Sequence, residues 1–401
     1  MKVLVADKFP PEGLDQLRAA GCTVHADASL ADDSLQAALA EHQPGVLVVR
    51  STKVRPEHLD AAPSLSLIVR AGAGVNTIDV AGASQRGIFV ANCPGKNSIA
   101  VAELAFAHIL SLDRRVVDGA VELREGQWNK KEFQQARGIF GQRLGLLGLG
   151  QIALEMIPRA RAFGLEVAAW SRSLTPERAE ELEIECADSP VELARRSDIL
   201  SIHVALNDDT TGLVGEEVLA ALPDGAMVIN TSRGPVVDTA ALEQAVKERG
   251  LRAGLDVFEN EPSGGTGELD PGIFALPGVQ GSHHIGASTT QAQLAVAAEA
   301  VRVISTFLEQ GTVPNCVNLA QRTEATHLLV VRHHDRVGVL ANVLQALRQA
   351  GINVQEMENI LFAGGGAASA RIQLAKEPSE ELVRSLEDSS DDVLGVSVTA
   401  L

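Results

Sequence analysis

The chain has 401 residues, 45 % of them hydrophobic, enough for two or three domains with cores of their own. Its 52 acidic and 34 basic residues leave a formal charge of -18, which argues against nucleic-acid or anionic-membrane partners, so any site for a small anion must be a local basic patch. Four scattered cysteines (Cys22, Cys93, Cys186, Cys316) form no C-x-x-C pair, so neither a disulfide framework nor a metal site is expected, and a reducing cytoplasm fits.

A strand pattern begins almost at once in "KVLVAD", with no apolar signal core before it. Further strand patterns follow at 46–49, 67–69 and 88–90, with helical patterns at 11–20 and 34–41. A longer helical pattern starts at Ser98 and ends near Asp113. Its apolar run from Val101 to Leu110 contains Glu103 and His108 and is too short to span a bilayer. A soluble, cytoplasmic protein is the expectation.

The segment 143–153, "RLGLLGLGQIA", carries the most information. A short apolar strand runs into Gly148-Leu149-Gly150, and a helical pattern opens at Gln151-Ile152-Ala153. The first glycine permits the tight turn, the second lets a pyrophosphate approach the backbone, and small Ala153 lets helix pack on strand. The phosphates would sit on the free amides of Gln151 and Ile152. Strand patterns continue at 166–170, 184–186, 199–202, 227–229, 254–257 and 279–281, with helices between, one at 238–249. Such alternation predicts right-handed βαβ units, hence two doubly wound parallel sheets, one before and one after Gly148, with a cleft between them.

A helical pattern at 289–309 leads into a polar stretch with Gly311 and Pro314. Residues 327–401 then read strand, helix, strand, strand, helix, strand, with "AGGGAA" joining the middle strands, which is the ferredoxin-like order. The expected organisation is a discontinuous substrate domain (1–97 and 288–318), a dinucleotide domain (98–287), a linker (319–325) and a small C-terminal domain (326–401).

Ligands of doubly wound sheets bind at the carboxyl ends of strands. Three such ends carry chemistry. "TSRG" puts Arg233 in a turn, where its guanidinium can fork onto a carboxylate. "DVFENEP" supplies Asp256 and Glu261, and "SHHIG" supplies His283 and His284. A histidine with a carboxylate mate is the usual acid–base unit. Upstream, "VVRSTKV" and "VRAGAGVNTID" bring Arg50, Lys53 and Arg70 near strand ends, a candidate phosphate pocket in an acidic protein. The strand "EVAAW" ends in Ser171-Arg172-Ser173 with no carboxylate to hold the ribose 2′-OH of NAD, whereas a serine and an arginine can bind the 2′-phosphate of NADP.

The order "GLG", "TSRG", "DVFENEP", "HHIGAST" resembles the D-isomer-specific 2-hydroxyacid dehydrogenases over residues 1 to 318. By that resemblance Arg233 binds the substrate carboxylate and carbonyl oxygen. His284, before Ile285-Gly286, is the proton donor in ketone reduction, and Glu261 pairs with it. The family usually has proline where His283 stands, so the choice between the histidines rests on register. Thr231, His203 and Asp256 match positions lining the nicotinamide side of the cofactor site. The segments around Arg50 and Arg70, and "GQWNKKEF", resemble the phosphoglycerate dehydrogenases of the family. By that likeness the Gly72 and Gly74 backbone cradles the substrate carboxylate, with Asn97 nearby. The segment "HHDRVGVLANVLQALRQAGINVQEM" resembles an ACT domain, a module that binds amino acids between paired copies. His333, Asp335, Gly338 and Asn353 align with its ligand region, while Val337 and Asp335 depart from the serine-binding pattern.

The resemblance thus implies NAD(H)- or NADP(H)-dependent oxidation of D-3-phosphoglycerate in a homodimer or homotetramer, with an amino acid such as L-serine as the candidate effector. "WSRS" keeps open an NADPH-dependent hydroxypyruvate or glyoxylate reductase. A dinucleotide-sensing corepressor without catalysis is the reading of another class, and the intact Arg233, Glu261 and His284 argue against it.

Overall fold

Five short strands open the chain: β1 (Lys2–Val5), β2 (Thr23–Ala26), β3 (Val46–Val49), β4 (Leu67–Arg70) and β5 (Phe89–Ala91). They pair in parallel in the order β2-β1-β3-β4-β5. All four residues of β3 are buried, as expected for a sheet covered on both faces. Alternate side chains separate the two cores. Leu4, Leu47, Val49, Ile68 and Val90 share one. Val3, Val5, Val46, Val48 and Val69 share the other with Val296, Ala300, Val303 and Ile304 of the helix Thr290–Gln310. The structure is a computed structural model and describes residues 1–262, 266–320 and 322–401.

A second sheet holds β6 (Arg143–Leu147), β7 (Glu166–Trp170), β8 (Glu185–Cys186), β9 (Ile199–Ile202), β10 (Met227–Asn230), β11 (Arg252–Leu255) and β12 (Val279–Gly281). Its order is β12-β11-β10-β9-β6-β7-β8, all parallel. The winding reverses between β6 and β9, which opens a crevice at their carboxyl ends. The helix Ser98–Arg114 covers one face through Ala102, Ala105, Phe106 and Ile109. Both sheets lie in one compact unit, Met1–Asn318.

The remaining unit, Leu319–Leu401, is a four-stranded antiparallel sheet. Its strands are β13 (His327–His334), β14 (Val354–Leu361), β15 (Ala367–Leu374) and β16 (Val393–Ala400), in the order β14-β15-β13-β16. The helices Val339–Gln349 and Glu380–Glu387 bury Val343, Leu347 and Leu386 against Leu329, Val331 and Ile372. This is the ferredoxin-like fold of ACT-like domains. The expected fold class therefore holds for both units.

The sequence reading does not single out the short helices Pro56–Ala61, Val80–Gln85, Val116–Arg124 and Lys130–Phe133, and two strands differ from it. Strand β2 has no counterpart in it, because "TVHA" is a mostly exposed edge strand and carries no run of apolar residues. The strand expected at 254–257 is β11, Arg252–Leu255, so Asp256 is the first residue past its end. No helix among the described residues is long and apolar enough to cross a membrane.

Candidate active site

The turn after β6 is shaped for a dinucleotide. Gly148 has φ +96°, and a Cβ there would lie 2.9 Å from the backbone of His203 and Val204. Only glycine fits both conditions. Its N–H donates to the Trp170 carbonyl (2.8 Å). At Gly150 a Cβ would meet nothing within 4 Å, so open space lies before the helix Gln151–Ala162. No side chain caps that helix, which leaves the amides of Gln151 and Ile152 to an anion, and Ala153 is fully buried.

His203 and Thr231 stand just past β9 and β10, and His203 Nδ1 and Thr231 Oγ1 are buried without a hydrogen-bond partner. The other ring nitrogen of His203 meets Ser201 Oγ at 2.9 Å. Burial pushes its pKa down to about 3, so the imidazole is neutral. An amphipathic cofactor fits this open cradle with its two unused polar atoms. Beyond β7, Ser171 and Arg172 are followed by no carboxylate in the strand, but Arg172 pairs with Asp209 at 2.8 Å. Both side chains are exposed, and Asp209 lies 37 residues away in sequence, so the pairing left no local signal.

The turn past β10 is pinned by buried Asn230. Its Oδ1 accepts from Ser232 N–H (3.0 Å) and Ser232 Oγ (2.8 Å), and its Nδ2 donates to the Arg233 carbonyl (3.0 Å). Gly234 is pressed onto the next loop: a Cβ there would lie 2.7 Å from the Glu259 amide. That loop presents Glu261, whose Oε1 accepts from Phe258 N–H (3.1 Å). Its Oε2 lies 2.7 Å from His284 Nδ1. His283 is exposed, and it is His284 that meets the carboxylate. The backbone of His284 is left-handed (φ +52°), a conformation a non-glycine residue keeps only where its surroundings impose it.

Asp256 imposes it. Its carbonyl accepts from His284 N–H at 3.0 Å. Its Oδ1 accepts from Ser282 Oγ (2.6 Å) and Ile285 N–H (2.8 Å), and its Oδ2 from Gly286 N–H (2.9 Å). The carboxylate is 1 % exposed. Sequence reasoning placed Asp256 beside the nicotinamide; the structure spends its charge on the loop that carries His284.

On the first sheet, Asp7 Oδ2 accepts from the amides of Arg50 (2.6 Å), Ser51 (3.0 Å) and Thr52 (3.1 Å). That carboxylate is thus bound to backbone, and the Arg50 guanidinium has no ion-pair partner among the described residues. Lys53 is exposed on the same turn. Burial, with repulsion from Arg233 and then Arg50, pulls the pKa of Arg70 down to about 10. Its buried Nε has no hydrogen-bond partner. Arg70 lies across Gly72, and Arg233 across Gly74, where a Cβ would sit 2.7 Å from Arg233 Nη2. These glycines make room for guanidinium groups. Asn97, half-buried before Ser98–Arg114, makes no capping bond with its side chain.

Residues 106–286 match the family model of the D-isomer specific 2-hydroxyacid dehydrogenase NAD-binding domain. The D-3-phosphoglycerate dehydrogenase of Methanocaldococcus jannaschii is 32 % identical over 386 residues, covering 96 % of this chain and 70 % of that protein. The chain belongs to the D-isomer-specific 2-hydroxyacid dehydrogenase family. It spans between 59 % and 70 % of the length of the first curated phosphoglycerate dehydrogenases it matches. The hydroxypyruvate reductase of Thermotoga maritima is 40 % identical over 268 residues, 66 % of this chain and 85 % of that protein. Among solved structures, the NADPH-dependent glyoxylate/hydroxypyruvate reductase of Sinorhizobium meliloti, in complex with NADP and malonate, superposes with a TM-score of 0.66 at 28 % identity, covering 79 % of this chain and 96 % of that one.

In the ACT-like unit of this 2-hydroxyacid dehydrogenase, His333 is buried and both ring nitrogens are engaged, Nδ1 with the His334 carbonyl (2.7 Å) and Nε2 with Asn359 Oδ1 (3.1 Å). Asp335 and Gly338 (φ +97°) form the turn after β13. Asn353 precedes β14, whose Val354 pairs with Leu374, as His327 does at the other end of β13. The register therefore puts Asn353 at the opposite end of the sheet from Asp335 and Gly338. One copy of the unit does not bring the four candidate effector residues together.

Proposed function

We propose that this protein oxidises D-3-phosphoglycerate to 3-phosphohydroxypyruvate with NAD or NADP, the entry into L-serine synthesis. The observation that carries this reading is the cluster of Arg50, Arg70 and Arg233. Burial, then repulsion from Arg233 and Arg50, lowers the pKa of Arg70 to about 10 in a chain of net charge -18. Cations held this close, around an Asp7 carboxylate that already accepts from three backbone amides, call for a further anion. A 2-hydroxy acid with a carboxylate at one end and a phosphate at the other supplies two anions.

Arg233 orients the carboxylate by a forked pair of N–H bonds. Arg50, Lys53 and Arg70 take the phosphate. Because Glu261 occupies His284 Nδ1, the free Nε2 faces the substrate. In oxidation it accepts the proton of the C2 hydroxyl, and Glu261 stabilises the imidazolium that results. In reduction the same nitrogen returns that proton. A bound nicotinamide dinucleotide would exchange the hydride of C2 at its ring C4. The Gln151 and Ile152 amides would hold its pyrophosphate, and Ser171 and Arg172 would meet its adenosine ribose.

Ser171 and Arg172 also support the second reading, an NADPH-dependent hydroxypyruvate or glyoxylate reductase. Steady-state rates on 3-phosphoglycerate, 3-phosphohydroxypyruvate, hydroxypyruvate and glyoxylate, each with both cofactors and with and without L-serine, separate the two. The first reading expects the phosphorylated pair to give the highest kcat/KM; a higher value for hydroxypyruvate or glyoxylate with NADPH would replace it with the second. Because Asn353 and Asp335 stand apart in one copy, an amino-acid effector would bind between two copies. We therefore read the protein as a cytoplasmic homodimer or homotetramer.

A further inference from the structure

The helix Ser98–Arg114 sends one histidine inward. His108 is 5 % exposed. Its Nε2 is 3.0 Å from Ser282 Oγ. Ser282 has a single hydroxyl hydrogen, and the 2.6 Å contact with the acceptor-only carboxylate of Asp256 claims it. Ser282 Oγ must therefore accept, so the proton of His108 sits on Nε2. Nδ1 is then an acceptor, and Gln280 Nε2 faces it at 3.3 Å while also donating to the His108 carbonyl (3.0 Å). Gln280 Oε1 in turn accepts from Ser111 Oγ (2.8 Å). Every donor in this chain of bonds finds an acceptor, in one direction, from the helix to Asp256. A second proton on His108 would break it at Gln280, and burial lowers the histidine's pKa accordingly.

We propose that His108, held by Gln280, is a positioning residue for His284, acting through Ser282 and Asp256. The inference rests on the reading of His284 as the group that moves the proton. The Nε2–H of His108 leaves the Ser282 hydroxyl to donate to Asp256 Oδ1, which fixes the tilt of the carboxylate whose two oxygens accept from the amides of Ile285 and Gly286. Those amides in turn hold His284 in its left-handed backbone, on line with Glu261. Chains of directed hydrogen bonds in a dry interior are worth more than their separate links. The shape of the site also depends on the ring: a Cβ at Gly254 would lie 2.8 Å from His108 Cβ, so β11 is built to admit it.

The test compares His108→Leu, which removes the donor at similar volume, with His108→Gln, whose Nε2 reaches the same place. His284→Asn runs beside them. His108→Leu is expected to lower kcat about tenfold with KM within twofold of the parent, since one directed bond is lost. His108→Gln should recover most of that loss. Amide hydrogen exchange across 282–286 should quicken in His108→Leu and return in His108→Gln. Parental kcat in His108→Leu while His284→Asn is inactive overturns this proposal and leaves the role of His284 standing. Equal losses in the leucine and glutamine variants also overturn it. An active His284→Asn enzyme overturns both.

Discussion

Arg233 Nη2 lies directly over Gly74, where a Cβ would be only 2.7 Å away. The loop after β4 and the arginine of the second sheet thus share one space, and Gly74 has no side chain because the guanidinium fills it. Gly74→Ala must push Arg233 aside. The expected result is a fall of about 100-fold in kcat/KM, carried by a misplaced carboxylate anchor, with little change in Tm. Steady-state kinetics with a thermal melt checks this; unchanged kinetics would mean that Arg233 does not need this seat.

Gly148 and Gly150 part company in the same way. At Gly148 the backbone is left-handed (φ +96°) and crowded, whereas at Gly150 a side chain would enter open space. Gly148→Ala should lower stability by about 1–3 kcal/mol. Gly150→Ala should melt like the parent yet bind NAD at least about tenfold more weakly, because the methyl fills the space a pyrophosphate needs. Dinucleotide titration followed by fluorescence reads both.

The Arg172–Asp209 pair (2.8 Å) bears on the proposed binding of the cofactor's ribose. Asp209 neutralises the cation that a 2′-phosphate would use, so NAD and NADP should differ in Kd by less than about 100-fold, or 2.8 kcal/mol. Arg172→Ala should weaken NADP by about tenfold and leave NAD nearly unchanged, and Asp209→Asn should strengthen NADP. Dissociation constants for both cofactors decide it; a larger native preference for NAD would show that another group excludes the phosphate.

Much of this organisation was legible in the sequence, because period and punctuation carry it. The apolar run of β3 and the Gly-x-Gly turn before a helix announce parallel sheets, and the six-element order after residue 326 announces the ferredoxin-like unit. What depends on distant partners was not legible. Asp209 reaches Arg172 across 37 residues, and Ser282 reaches His108 across 174. No local pattern marks Asn230 as the clamp on the Arg233 turn. The resemblance places Asp256 on the nicotinamide side, and nothing local in the sequence shows that three donors, from Ser282, Ile285 and Gly286, already claim its carboxylate. The effector residues sit close in sequence along one helix–turn stretch, yet an 11-residue helix separates Gly338 from Asn353 and carries them to opposite ends of the sheet.

Acid should loosen the first sheet through Glu299. Hydrogen bonds from Arg302 (3.1 and 2.5 Å), Asn315 (2.7 Å) and Lys96 (3.3 Å) hold its pKa at about 2, below the ordinary 4.5. The unfolded chain therefore binds the proton first. This contribution is complete above pH 4.5 and is lost as pH falls toward 2. Glu299→Gln should lower Tm at pH 7 by roughly 3 °C or more, and the gap to the parent should close on acidification. His203 adds a loss of the same sign at higher pH: with its folded pKa near 3 against an ordinary 6.5, stability falls as pH drops below 6.5. A Tm gap for Glu299→Gln that stays constant from pH 7 to 3 would contradict the assignment.

The central claim is that Arg50, Lys53 and Arg70 read a phosphate. It is tested most directly by kcat/KM for 3-phosphohydroxypyruvate against hydroxypyruvate, in the parent and in the doubly substituted Arg50→Ala, Lys53→Ala protein, which spares the buried Arg70. The parent should favour the phosphorylated substrate by at least about 100-fold, and the variant should lose that preference while keeping its rate on hydroxypyruvate. Equal parental rates on the two substrates, or a variant that loses both alike, would contradict it.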